Sequence, residues 1–296
     1  MKIPGSIRSL YTSKVDHYTN LKVKVDTIII CKKNSRWHYE SRVKEEQAFT
    51  LKLESGRFKY PDIFEDFFAC TIVVENQNQI NNAIRFIKDT CNFKTEYRRP
   101  KSEGFTHKQS NSFPFDDLRL YVVWKDNPNL RPSGLDGTIF EVQIKTYLQH
   151  AWSIATHDLI YKGDNVTWPM ERISFQVKAM LEHAEVSISQ AEELSKCSSI
   201  NKKNMTTKKR ILAIKLIKTF WEQNQLPKNI QILADNIISF ISAIGMSFPE
   251  LKKLLEEEAT KGRGPKIRNL SPFGSIVQSV FDKKPETIRT FLNKKK

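Results

Sequence analysis

Cysteine is scarce in this chain of 296 residues, and acidic side chains are scarce at one end of it. The four cysteines, Cys31, Cys70, Cys91 and Cys197, lie far apart and form no Cys-x-x-Cys pair. Neither a disulfide framework nor a local zinc knuckle is therefore indicated, and a reducing compartment fits best. No apolar run approaches the roughly 18 residues needed to span a bilayer, and the opening MKIPGSIRSL lacks the apolar core of a secretory signal. The expectation is a soluble, cytoplasmic protein without membrane contact. Hydrophobic residues make up 39%, charged residues 27%, and phenylalanine alone contributes 18 side chains. That is enough apolar material for at least one sizeable core, which excludes wholesale disorder.

The shortage of acid is local. Residues 1–199 carry 28 basic and 25 acidic side chains, whereas 200–296 carry 20 basic and 8 acidic, so most of the net charge of +15 belongs to the last third. Such a surplus suits a segment that meets phosphates or an acidic surface, although lysine-rich helices also serve solubility alone.

The first two thirds alternate helix-like and strand-like segments. Ser35 to Leu53 is polar with spaced apolar positions (Trp37, Val43, Ala48, Leu51), and the spacing predicts a helix. Phe67 to Val74 is an almost continuous β-branched and aromatic run, the pattern of a strand covered on both faces. Ile80, Ala83, Ile84 and Ile87 have the spacing of an amphipathic helix. Leu118–Trp124 and Thr138–Lys145 predict two more strands, joined by the turn-rich DNPNLRPSGLDG. Thr146 is placed to cap a helix running to about Lys162. Trp168-Pro169 opens a long helix whose apolar stripe is Ile173, Val177, Met180, Leu181, Ala184, Ile188 and Ala191. After the basic linker NKKNMTTKKR everything reads as helix, with a capping box at Ser247-Phe248-Pro249-Glu250 and further helix starts at Ser271-Pro272 and Lys284-Pro285. The fold expected is mixed α/β with a central sheet flanked by helices over residues 1–199, followed by an all-helical, basic module over 200–296.

Chemistry concentrates on the predicted strand Thr138–Lys145. Period-two sorting puts Thr138, Phe140, Val142 and Ile144 on one face and Ile139, Glu141, Gln143 and Lys145 on the other. A solvent-facing sheet gives the same alternation. A second carboxylate, Asp66, stands at the mouth of the strand Phe67–Val74. If the two strands are neighbours, Asp66 and Glu141 can converge on one Mg²⁺, which favours one or two carboxylates completed by waters and substrate phosphates. Cations for phosphate are at hand in Arg42, Lys44 and Lys52, followed by Arg57 and Lys59. On a continuous helix Arg42 and Lys52 fall within about 80° of each other. His157 and Tyr161 are four apart, with Lys162 beside them.

In order, SRVKEEQAFTLKL (41–53), DFFACTIVV (66–74), EVQIKT (141–146) and AWSIATHDLIYK (151–162) resemble the motifs of the RelA/SpoT family of nucleotide pyrophosphokinases. They are similar to its Arg-x-Lys helix, its Asp-x-x-Gly-x-Arg strand, its Glu-x-Gln-x-Arg-Thr strand and its closing helix ending Glu-His…Tyr-Lys. The resemblance spans roughly residues 35–165 and implies a nucleotidyltransferase-like fold. It also implies transfer of the β,γ-diphosphate of ATP to the 3′-hydroxyl of GDP or GTP, making (p)ppGpp-type alarmones. By that resemblance Asp66 and Glu141 hold Mg²⁺, and Glu141 also helps deprotonate the attacking hydroxyl. Arg42, Lys44 and Lys52 bind ATP, while Phe105, Gln143, His157 and Lys162 line the acceptor side.

The chain departs from the family pattern in places. Ala69 and Thr71 replace the Gly and Arg of the first strand motif, Lys145 replaces the Arg of the second, and Thr156 replaces the Glu of Glu-His. The acceptor loop Gly-Tyr-Arg-Ser-x-His has its nearest match in KSEGFTHKQ (101–109), where Phe105 stands for the stacking tyrosine and the Arg-Ser pair is missing. The acceptor side is thus more altered than the donor side. Toxin-like relatives that pyrophosphorylate the 3′ end of tRNA suit the basic module at 200–296 as a nucleic-acid-binding part, and a catalytically silent nucleotide- or partner-binding domain is a third reading. The hydrolase half found in larger relatives is not expected, since His157-Asp158 is the sole His-Asp dipeptide. Family members often assemble, so a homo-oligomer stays open.

Overall fold

A computed structural model describes residues 1–56, 64–100, 118–129, 131–157, 167–199, 202, 204–267 and 269–286, with the side chain of residue 157 excepted. The chain divides into two compact units, Met1–Ser195 and Lys196–Lys296.

In the first unit, helix α1 (Gly5–Lys32) buries Tyr18, Leu21, Val25 and Ile29, one residue per turn along a single stripe. The segment predicted as one helix over 35–53 is instead strand β1 (His38–Val43) followed by the short helix α2 (Glu46–Glu54). The reason is in the side chains: His38, Glu40 and Arg42 are exposed and alternate with half-buried Tyr39, Ser41 and Val43, a period of two that pairs with a neighbouring strand. The remaining strands are β2 (Phe68–Val74), β3 (Phe93–Arg99), β4 (Leu118–Trp124) and β5 (Ile139–Thr146), with helix α3 (Ile80–Asp89) between β2 and β3. They form one sheet in the order β1-β2-β5-β4-β3, in which β2 and β5 are parallel and every other pair is antiparallel.

One face of this sheet is the core. Cys70, Ile72, Val74, Leu120, Val122, Phe140, Val142 and Ile144 are buried there with the stripes of α1 and α3. The loop between β4 and β5 is the turn-rich hairpin connection expected, organised by Asp126, whose carboxylate accepts from Ser133 N at 2.7 Å, Ser133 Oγ at 2.5 Å and Trp124 Nε1 at 2.8 Å.

Thr146 caps helix α4 (Tyr147–His157) through Gln149 N at 3.2 Å. Helix α5 (Trp168–Ser189) departs from the stripe anticipated for it. Its buried positions are Ser174, Lys178 and Glu185, whereas Ile173, Val177, Met180 and Ile188 are exposed and only Leu181 and Ala184 of the stripe are half-buried. Polar partners explain the shift. Trp152 Nε1 donates to Ser174 O at 3.1 Å, Lys178 Nζ lies 4.2 Å from the Trp152 ring centre, and Thr146 Oγ1 donates to the Glu185 carboxylate. Helix α6 (Ala191–Lys196) follows.

The second unit is helical: α7 (Met205–Phe220), α8 (Ile230–Ala243), α9 (Phe248–Thr260) and α10 (Pro272–Lys283). Its own core includes Ile217, Trp221, Ile237, Leu251, Leu255, Ile276 and Val280. The expected capping box closes α9, with Ser247 N donating to Glu250 Oε2 at 2.8 Å and Glu250 N to Ser247 Oγ at 3.4 Å. Ser271 caps α10 through Gly274 N at 3.1 Å. Among the described residues no single helix is long and apolar enough to cross a membrane.

Candidate active site

The face of the sheet turned away from the core is charged, and strand register arranges it in rows. Arg42, Ala69, Glu141, Tyr121 and Tyr97 lie side by side from β1 to β3. One step along come Glu40, Thr71, Gln143, Arg119 and Arg99, and a third row holds His38, Val73 and Lys145. Every row crosses the parallel β2–β5 pair, so the strand motifs meet only because residues 66–74 and 139–146 are neighbours in the sheet.

Glu141 is the centre. It is 3% exposed and is held by Tyr121 OH at 2.9 Å, Gln143 Nε2 at 2.6 Å and Arg119 Nη1 at 3.5 Å. Burial and the neighbouring Glu141 charge push the Tyr121 phenol well above its usual pKa, so it stays a proton donor to that carboxylate. Behind it Tyr97 stacks on Tyr121 at 4.3 Å, and the Arg99 guanidinium lies 5.0 Å from the Tyr121 ring centre. On the other side of Glu141 a cleft of about 470 Å³ opens between the sheet and α4, lined by Glu40, Arg42, Thr71, Gln143, Lys145 and His150 among others.

Asp66 precedes β2 and sits in an ion cluster with two of the predicted cations. Lys44 Nζ donates to Asp66 Oδ2 at 2.6 Å, and Lys52 Nζ donates to the same oxygen. Local folding sets this up: Lys44 N bonds Phe67 O at 2.7 Å, Tyr11 OH bonds Lys44 O at 3.0 Å, and Phe49 on α2 packs against Phe67. Burial raises the Asp66 pKa, but the hydrogen bonds and charges of the two lysines outweigh it and hold the carboxyl below its usual value. Burial lowers the Lys44 pKa, and Lys52 and Arg42 add to this against the opposing pull of Asp66. Asp66 Oδ1 is buried without a hydrogen-bond partner among the described residues.

Arg42 and Lys52 thus do not share a helix face: Arg42 is on β1, and Lys52 is on α2 with Asp66. Arg42, Glu141 and Gln143 lie on the charged sheet face, while Lys44, Lys52 and Asp66 cluster where β2 begins. Phe105, Lys162 and the side chain of His157 lie outside the described residues. Sequence reasoning passed over Tyr97, Arg99 and Tyr121. The alternation of LRLYVVW, which turns Arg119, Tyr121 and Val123 to one face, carries the signal for Tyr121. It also passed over a group of ligand-type side chains, His38, Glu40 and His150, whose donor atoms all lie within 4.8 Å of one another.

Fold and site define a class: a mixed α/β domain with a five-stranded sheet whose open face carries a buried carboxylate among tyrosines and arginines. More particularly, residues 41–166 match the family model described as a region found in RelA/SpoT proteins, and this segment has a RelA/SpoT-type fold. No curated protein matches the chain. Among solved structures, small alarmone synthetase 1 from Bacillus subtilis is similar at 17% identity and TM-score 0.47, covering 66% of this chain and 100% of that one. The same protein bound to its product pppGpp gives 15% and 0.48, again over 66% and 100%. A GTP pyrophosphokinase family protein from Streptococcus pneumoniae gives 13% and 0.48, over 68% and 100%.

Proposed function

We propose that the first unit is a pyrophosphokinase that moves the β,γ-diphosphate of ATP to a ribose 3′-hydroxyl, with a guanosine nucleotide (GDP or GTP) as acceptor. The observation that carries this reading is the buried Glu141, hydrogen-bonded to Tyr121 and Gln143 and in register with Ala69 and Arg42, two residues that line the adjoining cleft. In the reaction the acceptor hydroxyl oxygen bonds to the β-phosphorus of ATP. The bond from that phosphorus to the oxygen bridging the α-phosphorus breaks, and AMP leaves. Glu141 takes the hydroxyl proton as the new bond forms. Tyr121 and Gln143 hold its two oxygens so that it need not reorient.

Arg42, Lys44 and Lys52 take the donor side, with Arg42 offering a planar cation to the adenine and the lysines their ammonium groups to the phosphates. The open Asp66 Oδ1 supports a divalent site there. Asp66 and Glu141 would hold Mg²⁺, which supplies charge neutralisation on the transferring phosphates. Gln143 faces the acceptor, and Phe105, His157 and Lys162 complete that side in this reading. ATP and a reduced thiol set are consistent with a cytoplasmic setting.

The test is incubation with γ-³²P-ATP, Mg²⁺ and GDP, GTP or bulk tRNA. Label on a guanosine nucleotide, lost by a factor of about 10² to 10⁴ in Glu141→Gln, is the expected result, since a general base contributes that much. No label on any acceptor overturns the reading.

The 20 basic against 8 acidic residues of 200–296 favour a second reading, in which tRNA is the acceptor and the helical module binds it. Exposed Lys208, Lys209 and Lys215 on α7 offer the probe. If the module binds RNA, affinity falls steeply with salt, and changing these three lysines to Glu flattens the slope.

A further inference from the structure

The cleft has a second candidate cation site whose chemistry differs from that of Asp66 and Glu141. His38 and Glu40 are two apart on β1 and so project from the same face of an edge strand. His150 approaches them from the first turn of α4. The His38 and His150 rings are 5.6 Å apart, and His150 Nδ1 lies 4.0 Å from Glu40 Oε1, beyond hydrogen-bond reach. His150 is buried at 9% exposure, and its Nδ1 has no hydrogen-bond partner among the described residues. A buried ring nitrogen left unpaired has an energetic cost, so an unpaired one aimed at a carboxylate and a second imidazole calls for an occupant.

We infer that His38, Glu40 and His150 form a binding site for a transition-metal dication of the Zn²⁺ class, separate from the Mg²⁺ site of the proposed reaction and independent of that proposal. Two imidazoles and one carboxylate are the donor set of three-ligand zinc centres that keep a fourth position open, whereas Mg²⁺ takes oxygen ligands. Zinc bonds of about 2.0–2.2 Å in tetrahedral geometry put ligand atoms about 3.4 Å apart. The present set, within 4.8 Å, closes by roughly an ångström, and His38 and Glu40 are exposed and free to make that rotation. Glu40 and His150 also line the cleft, so the ion would sit at its margin. The ion ties edge strand β1 to α4.

The test titrates Zn²⁺ into the full chain against a chromogenic chelator, beside His38→Ala, Glu40→Gln and His150→Gln, with Mg²⁺ in excess throughout. The cysteines Cys31, Cys91 and Cys197 are exposed, so the quantity that decides is the difference between native and variant. The expected result is one Zn²⁺ fewer per chain in each variant. Its affinity loss exceeds the roughly 10–100-fold that removal of a mere supporting partner causes. Zn²⁺ should also raise the melting temperature of the native chain and not that of His38→Ala, whose altered side chain is exposed and leaves the core intact. Unchanged stoichiometry and affinity in His38→Ala and Glu40→Gln, or no Zn²⁺ uptake by the native chain, overturns the inference.

Discussion

The two faces of the five-stranded sheet are built by the same residues counted odd and even, yet they obey different rules. On β5, Phe140, Val142 and Ile144 are fully buried against α1 and α3, and Glu141, Gln143 and Lys145 form the opposite face. The apolar face is secured by area and packing density. The charged face is secured by hydrogen bonds that leave Glu141 buried yet satisfied on both oxygens. The contrast teaches that burial alone does not separate core from site here, since Glu141 is nearly as inaccessible as Phe140. What separates them is whether the partner is a methyl group or a proton donor.

Substitutions on the two faces should therefore fail differently. The largest effect is expected from Phe140→Ala, which empties a space shared with Phe68 and Phe93 and should cost about 3–5 kcal/mol in urea unfolding. Next comes Tyr121→Phe on the charged face. It removes a hydrogen bond to a charged acceptor, of the order of 1.5–3 kcal/mol, and should lower transfer activity by roughly ten- to a hundredfold with the Glu141→Gln variant as its floor. If Tyr121→Phe unfolds the protein as readily as Phe140→Ala does, the division between the faces is wrong.

Glu185 sharpens the comparison, because it is a buried carboxylate at the end of the same sheet with fewer partners. Burial raises its pKa despite the hydrogen bond from Thr146. With the folded value above the unfolded one, the protonated form favours folding. Stability from this group is present in acid and is lost as pH rises from the unfolded value through the folded one. Glu185→Gln should accordingly melt higher than the native chain at pH 7, and the gap should close near pH 4. A gap that widens in acid would contradict this. The smallest effect is expected at an ion pair of the helical unit. Arg210 and Asp235 form a two-bond ion pair at 2.8 and 2.9 Å on the helical unit, both partly exposed, and Arg210→Ala should leave the urea unfolding midpoint nearly unchanged.

Legibility followed the range of the interaction. The alternation on β5, the hairpin loop at Asp126, the Thr146 cap and the Ser247–Glu250 capping box were all readable, because each is decided within a few residues. β1 was misread because Trp37, Val43, Ala48 and Leu51 satisfy a helical spacing by chance across a strand, a turn and a helix. α5 was read with its covered face displaced, so that Ile173, Val177, Met180 and Ile188 are exposed and only Leu181 and Ala184 of the stripe are half-buried. An apolar stripe says that two faces differ, and the partners Trp152 and Thr146 decided which one is covered. The triad at Asp66 was only half visible, since nothing local tells Lys44 and Lys52 to meet on one carboxylate oxygen.

By itself, then, the sequence determined the division into a near-neutral α/β part and a basic helical part, the two-faced character of β5, and the turns and caps, all of which depend on local periodicity and charge. The tertiary structure alone decided that Arg42, Glu141, Tyr121 and Tyr97 stand in one row and that His38, Glu40 and His150 converge. Those placements require β2 and β5, some 70 residues apart, to pair in parallel at one register, and they require α4 to settle on one end of the sheet. Long-range pairing is set by the collective burial of the opposite face, and no short window of sequence contains it.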